Sequence, residues 1–249
     1  MIHFFIQGVL LFVIYIAVCE IIYRTFWKKH GTLKHYYGST RKIDNAPLTL
    51  DIKDRYLKIS LRSMVIMCVT LFLSWYFLGN HVKTNIVNIV LSPVVFIVNL
   101  LLHDLYFYLT HLCFHRFNFL YQYHKMHHSA KEVHPYSAFY FSKFEALIQS
   151  LIFPMLMFLP WQSHPSMYAF GAAFIVLAIN GHSGYELLSA RLKHLKVFPY
   201  LGSPTYHQHH HREPQCNLGL YQHVYDLFAG TWSPSSRQQR EKIYSRWHS

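Results

Sequence analysis

The chain has 249 residues, 52% of them hydrophobic and 18% aromatic, yet its formal net charge is +12. Apolar and charged residues fall in separate blocks, which excludes an ordinary soluble basic domain and points to membrane spans flanked by segments that face anionic lipid. No nucleic-acid motif accompanies the charge, no CxxC accompanies Cys19, Cys68, Cys113 and Cys216, and the length fits one domain, 1–249.

Residues 4–23 form the first apolar run, long enough to cross a hydrocarbon core. No basic residue precedes it and no small-residue cleavage site follows it, so it reads as a retained span rather than a signal peptide. The stretch 24–62 carries ten Lys or Arg against Asp44, Asp51 and Asp54, which places it on the cytoplasmic side by the positive-inside rule. A second span is expected at 63–78, a turn at Gly79-Asn80-His81 with Lys83 as its full charge, and a third span at 86–109 with Asn99, His103 and Asp104 inside it. A histidine-rich stretch follows to His134. Two apolar segments within 146–180 come next, each short for a span, and beyond Gly181 the chain is polar, aromatic and basic. The expected architecture is an all-α integral membrane protein with about four transmembrane helices, or three plus a re-entrant hairpin over 146–180, and a cytoplasmic histidine-rich helical cap. Either count returns the chain to the side it left, so every histidine cluster shares one face of the membrane.

Histidine is the compositional anomaly: there are 20, with seven between His103 and His134 and four between His207 and His211. The first box is His111-Leu-Cys-Phe-His115. On a continued third helix Asp104, Phe107, Tyr108, His111 and His115 share one stripe. The second box is His124-Lys-Met-His127-His128, whose three imidazoles span about 100° of a helix. The third, His207-Gln-His-His210-His211, repeats the HxxHH spacing between Pro204 and Pro214, with His209 pointing the other way. Two HxxHH boxes and one HxxxH box offer more imidazoles than a single tetrahedral site uses, so two metal ions are expected. Imidazole suits zinc, copper, iron and nickel, and does not by itself name the metal. A buried acid near a ligating histidine fixes its tautomer, and Asp104 is the best-placed candidate.

The runs Asp104–Arg116 and Tyr123–Ser129, the element Asn180-Gly-His182-Ser-Gly-Tyr185-Glu186, and His207–His211 together resemble the fatty acid hydroxylase/sterol desaturase superfamily, in order, over roughly residues 99–212. The resemblance implies a catalytic region there with two iron ions as cofactor, zinc being a possible substitute in purified protein, and O2 as co-substrate. It implies the metal ligands His111, His115, His124, His127, His128, His182, His207, His210 and His211. Glu186 stands four residues after His182, where some members carry another histidine; it is a candidate to ligate, to orient a ligand or to pack. Glu145, in a Ser-Lys-Phe-Glu run that resembles the stretch after the second box, is open between a structural and a functional role. His103, His134, His164 and His223 match no family position and are expected to be interfacial. The eight residues between His115 and His124 favour this branch over the membrane acyl desaturases.

The implied activity is an oxidoreductase that uses O2 and two electrons to hydroxylate or desaturate an unactivated C–H bond of a lipid such as a sterol, a sphingoid base or a fatty acyl chain. Phe107, Tyr108, Tyr136, Phe139 and Tyr140 are candidates to line the lipid's route. No GxGxxG fingerprint is present, so a separate electron donor, cytochrome b5 or a ferredoxin system, is expected to dock on the basic face. The expected location is the endoplasmic reticulum membrane in a eukaryote or the inner membrane in a bacterium, with a cytoplasmic site. The alternative is a histidine-rich metal transporter or metal-binding protein, but a transporter places ionisable groups near the bilayer midplane, whereas these boxes lie at span ends. A zinc hydrolase is disfavoured because HExxH is absent.

Overall fold

A computed structural model of the chain describes residues 2–27, 42–43, 49–82, 85–187, 195 and 198–246. Residues 28–41 and 44–48 of the basic stretch expected on the cytoplasmic side, and Lys83, lie outside the described residues. Among those residues the protein is helical, with two isolated bridges, Lys42 to Tyr185 and Leu201 to Gln222, in place of any strand.

Helix α1 (Ile2–Ile22) runs into a wider turn at Tyr23–Trp27. Helix α2 (Leu50–Leu78) starts 13 residues before the expected span. Thr49 caps it by accepting from the Ile52 N–H at 3.3 Å, and the charged turns that follow are helical because they pack on residues 135–141. Ser60 donates to the Tyr136 carbonyl at 2.8 Å, and Arg62 donates to the Phe141 carbonyl at 2.8 Å. The change from polar to apolar residues near position 63 therefore marks depth in the membrane, not a helix end. The third expected span is broken: a short helix α3 (Ile86–Val90) ends at Leu91, and α4 (Ser92–Arg116) restarts with Pro93, which has no N–H to continue the ladder.

Three stretches are long and apolar enough to cross a membrane: Ile6–Trp27, Leu50–His81 and Ser92–Arg116. No more than 33% of the apolar window in each is buried within the protein. Side chains such as Val13, Val65, Val69, Val94 and Leu101 are at least half exposed, as lipid-facing residues would be. The 146–180 region forms α6 (Lys143–Ser150), α7 (Ile152–Met157) and α8 (His164–Gly181). Helix α8 is capped reciprocally by Ser163 and Ser166 and buries Met167, Phe170, Phe174, Ile175 and Ile179 against α1 and α4, so it is the core of the bundle. Two polar clusters inside the bundle pair across its helices. Gln7 donates to the Met167 carbonyl at 3.1 Å and accepts from Trp75 Nε1 at 2.7 Å, and Asn99 and Gln162 bond each other reciprocally.

Two features set the cap against the bundle. Phe117 is a single extended residue between α4 and α5 (Asn118–His128), so the chain reverses at once and lays the second histidine box against the first. After α8, Gly184 has φ +73°, and a Cβ there would meet Trp27 Cζ2 at 2.5 Å and the Val133 carbonyl oxygen at 3.1 Å. Glycine thus permits the tight turn that follows His182, the residue that caps the end of α8. The cap continues with α9 (Pro204–Arg212), α10 (Val224–Ala229) and α11 (Pro234–Ser245).

Candidate metal centre

The nine histidines that the family resemblance implies converge in two groups. His111, His115, His124, His128 and His210 form the first, and His127, His182, His207 and His211 the second. In the first, the Nε2 atoms of His111 and His124 are 3.1 Å apart, His115 and His128 3.2 Å, His124 and His128 3.0 Å, and His128 and His210 3.1 Å. In the second, His127 and His182 are 3.3 Å apart, and His182–His207 and His207–His211 each 3.1 Å. The groups lie side by side, with the His128 and His211 ring centroids 4.8 Å apart.

Helical spacing explains the sorting. His111 and His115, and His124 and His128, are i,i+4 pairs on facing helices, while His127 stands one residue around α5 and faces the second group. Helix α9 repeats the device with His207 and His211 in one group and His210 in the other. Ser203 starts that helix by accepting from the Tyr206 N–H, with Pro204 in its first turn.

The Nδ1 atoms show which tautomer is present. Nδ1 donates to the Leu218 carbonyl in His111 (2.8 Å), to the Cys216 carbonyl in His210 (2.7 Å), to the Ala178 carbonyl in His182 (3.1 Å) and to Glu145 Oε1 in His124 (2.6 Å). These rings therefore turn an Nε2 lone pair inward. Burial, and secondarily the neighbouring imidazoles, push His127, His207, His210 and His211 well below the usual imidazole range; burial takes His182 down to about 4 and His128 to about 3. Neutral lone pairs crowded at 3.0–3.3 Å repel one another unless a cation lies among them. A metal ~2.1 Å from each nitrogen sees neighbours at such spacings. The residues fit two metal ions, and five imidazoles in the first group exceed a tetrahedral set.

Asp104 does not touch any of the nine rings. Its Oδ1 accepts from the Tyr221 N–H at 2.8 Å, so it holds the 216–223 loop rather than a ligand's tautomer. Asp226, which sequence reasoning missed, accepts from the Leu218 and Gly219 N–H groups at 2.7 and 2.9 Å, from Thr231 Oγ1 at 2.7 Å and from His223 Nδ1 at 3.1 Å. Burial raises its carboxyl, but these donors outweigh burial and hold it below the usual carboxylate range. The loop it clamps supplies the backbone acceptors for His111 and His210. Glu145 takes the place proposed for Asp104, through His124.

Glu186 lies in neither group. It is fully buried, accepts from Thr205 Oγ1 at 2.7 Å and pairs with Arg240 Nε at 3.6 Å, tying α11 to the start of α9. His103, His134 and His223 are buried rather than interfacial: His103 Nδ1 lies 2.7 Å from the Tyr221 hydroxyl, and His134 stacks on Tyr136. His209 faces away from both groups, toward Ser233 and Ser235.

A narrow cavity ends on His124, His127, His182 and His207. Its other walls are chiefly Phe107, Phe139, Phe141, Phe174, Ala178 and Leu220. Of the aromatic residues expected to line a lipid's route, Phe107 and Phe139 do so. Tyr136 instead donates to Glu20, Tyr140 packs on Tyr56, and Tyr108 packs on Tyr225.

A helical bundle with three apolar helices of membrane-crossing length and paired polyhistidine groups at its end defines a membrane metalloprotein class. Residues 96–231 match the family described as fatty acid hydroxylase, and the chain belongs to that family. Over 146 residues it is 32% identical to a very-long-chain aldehyde decarbonylase, GL1-1, of Oryza sativa subsp. indica, covering 55% of this chain and 23% of the relative. Over 137 residues it is 30% identical to cholesterol 25-hydroxylase of Rattus norvegicus, covering 54% of this chain and 45% of the relative, and the human cholesterol 25-hydroxylase is 30% identical over 139 residues, with 55% and 50% covered. The match thus spans about a quarter to half of these relatives' lengths. No solved structure matches the chain.

Proposed function

We propose that the chain is a membrane-bound lipid oxidase whose two histidine groups each hold an iron ion, and that with O2 and two electrons it hydroxylates or desaturates an unactivated C–H bond. The observation that carries this reading is the meeting of two convergent sets of neutral imidazoles with an apolar cavity. Family membership, and relatives named as a sterol hydroxylase and an aldehyde decarbonylase, support oxidative lipid chemistry. Iron bound by the two groups supplies oxygen activation and the attack on carbon.

The chain's own residues do the rest. The loop carbonyls of Leu218 and Cys216, with Glu145, hold the Nδ1 protons so that Nε2 faces inward. Phe107, Phe139, Phe141 and Phe174 exclude water and lay an apolar chain or ring against His127, His182 and His207. Helix α4 leads from the membrane to the first box and gives a lipid a route from the bilayer. Electrons come from a separate donor, a cytochrome b5 or a ferredoxin, at a cytoplasmic face. The membrane is the endoplasmic reticulum in a eukaryote or the inner membrane in a bacterium.

Lipid profiles of cells expressing the wild type or the His127→Ala, His128→Ala double variant test the reading. A hydroxylated or desaturated lipid gained only with the wild type is expected. Identical profiles, or fewer than one metal ion per chain in anaerobically purified protein, would overturn it.

A further inference from the structure

Helix α6 presents two polar side chains to the cavity, Glu145 and Gln149, one helical turn apart on one face. Both are buried, 1% and 3% exposed. Apart from the four histidines, they are the polar residues of an otherwise apolar lining. Glu145 spends Oε1 on His124, and Oε2 has no partner among the described residues; the same holds for Gln149 Oε1.

The orientation of the Gln149 amide follows from its neighbour. The Thr110 hydroxyl donates back to the carbonyls of Tyr106 (2.9 Å) and Phe107 (3.1 Å), so toward Gln149 it acts as an acceptor. Gln149 Nε2 therefore donates to Thr110 Oγ1, at 3.4 Å, and its carbonyl oxygen is the free end. Two buried acceptors without a donor are costly in an apolar wall. An otherwise apolar pocket with a few placed polar groups is how a site fixes the orientation of a mainly apolar ligand. Glu145 touches the first histidine group directly through His124, so a ligand donor seated there lies close to the carbon that would be oxidised.

We propose that Glu145 and Gln149 form a polar subsite that accepts a hydrogen bond from the substrate, so that the substrate is a lipid bearing a hydroxyl or amide N–H a few bonds from the carbon attacked, rather than a plain hydrocarbon segment. This rests on the oxidase reading for the identity of the cavity's occupant. A site that needs a donor rejects analogues lacking it, because its acceptors are then left buried and unpaired.

The test is equilibrium binding to the purified full chain in nanodiscs with two matched series: stearyl alcohol, stearyl methyl ether and octadecane; and cholestanol, its methyl ether and cholestane. The ether keeps the oxygen and loses the donor. In the wild type, on at least one scaffold, the alcohol should bind about ten- to a hundredfold more tightly than the ether, the scale of leaving a buried acceptor unpaired. Gln149→Met, close in size and apolar, should remove most of that preference while keeping the metal content of the wild type. Equal binding of alcohol and ether on both scaffolds, failure of both alcohols to bind, or a full preference in Gln149→Met overturns the proposal. The wild-type comparison stands even if the variant misfolds. Oxidation products are scored separately: donor preference without any oxidised product sinks the oxidase reading alone, and oxidised product without donor preference sinks the subsite alone.

Discussion

Replacing Glu145 with Gln isolates one support of the metal centre. The residue is 1% exposed, and its Oε1 lies 2.6 Å from His124 Nδ1. Burial by itself favours the neutral Glu145 carboxyl, and a cation held by His124 would favour the carboxylate; glutamine keeps the volume and an acceptor but cannot ionise, so the His124 ring stays in place and becomes a weaker ligand. A hydrogen bond to a buried charged partner contributes about 1.5–3 kcal/mol, and loss of such a partner typically weakens a metal site about ten- to a hundredfold. His124 belongs to the five-histidine group alone. The variant should therefore lose about one of its two ions at a chelator concentration that leaves the wild type loaded, with the second ion retained. The assay is metal content by mass spectrometry across a chelator series, on protein purified without oxygen. Equal chelator resistance in wild type and variant, or parallel loss of both ions, would refute the reasoning.

Arg240→Ala should lower stability by about 3–5 kcal/mol, because it leaves Glu186 buried without its ion partner; adding Glu186→Leu should restore much of the loss in thermal unfolding. Asp226→Asn should shrink the acid sensitivity of the fold. The native carboxyl is held below its unfolded value of ~3.8–3.9, so its contribution is fully present above that pH and fades as pH falls through the folded value. The wild type should accordingly lose stability faster than the variant below about pH 4; parallel acid-unfolding curves would count against the clamp.

The parts of this site that recur at helical intervals were legible in the chain itself. His111 and His115, and the two HxxHH boxes, are spaced so that a helix must place them together, and the structure gathers them. His182 lacks such a pattern and was legible through its family resemblance. What supports those rings was harder to read, because His111 and His210 bond to the backbone carbonyls of Leu218 and Cys216, and a carbonyl has no residue type. Asp226 lies 15 residues beyond the last box, and only the folded loop relates it to His111. Asp104 was recognised as an acid with a partner, but proximity along α4 pointed to a ring where the structure supplies the Tyr221 N–H. His103, His134 and His223 illustrate the same limit: local composition suggested interfacial residues, while contacts from distant segments bury them. The start of α2 was missed because polarity tracks depth, and the helix continues through the change.

Adjacent residues on α5, His127 and His128, face different histidine groups, and so do His210 and His211 on α9. Each of these two helices is thus a common rail for both centres. Adding or deleting one residue within either box would swing every later ring by about 100° and derange both centres at once. Change in this region is therefore confined to substitution, and variation in length is pushed outward into the connecting loops.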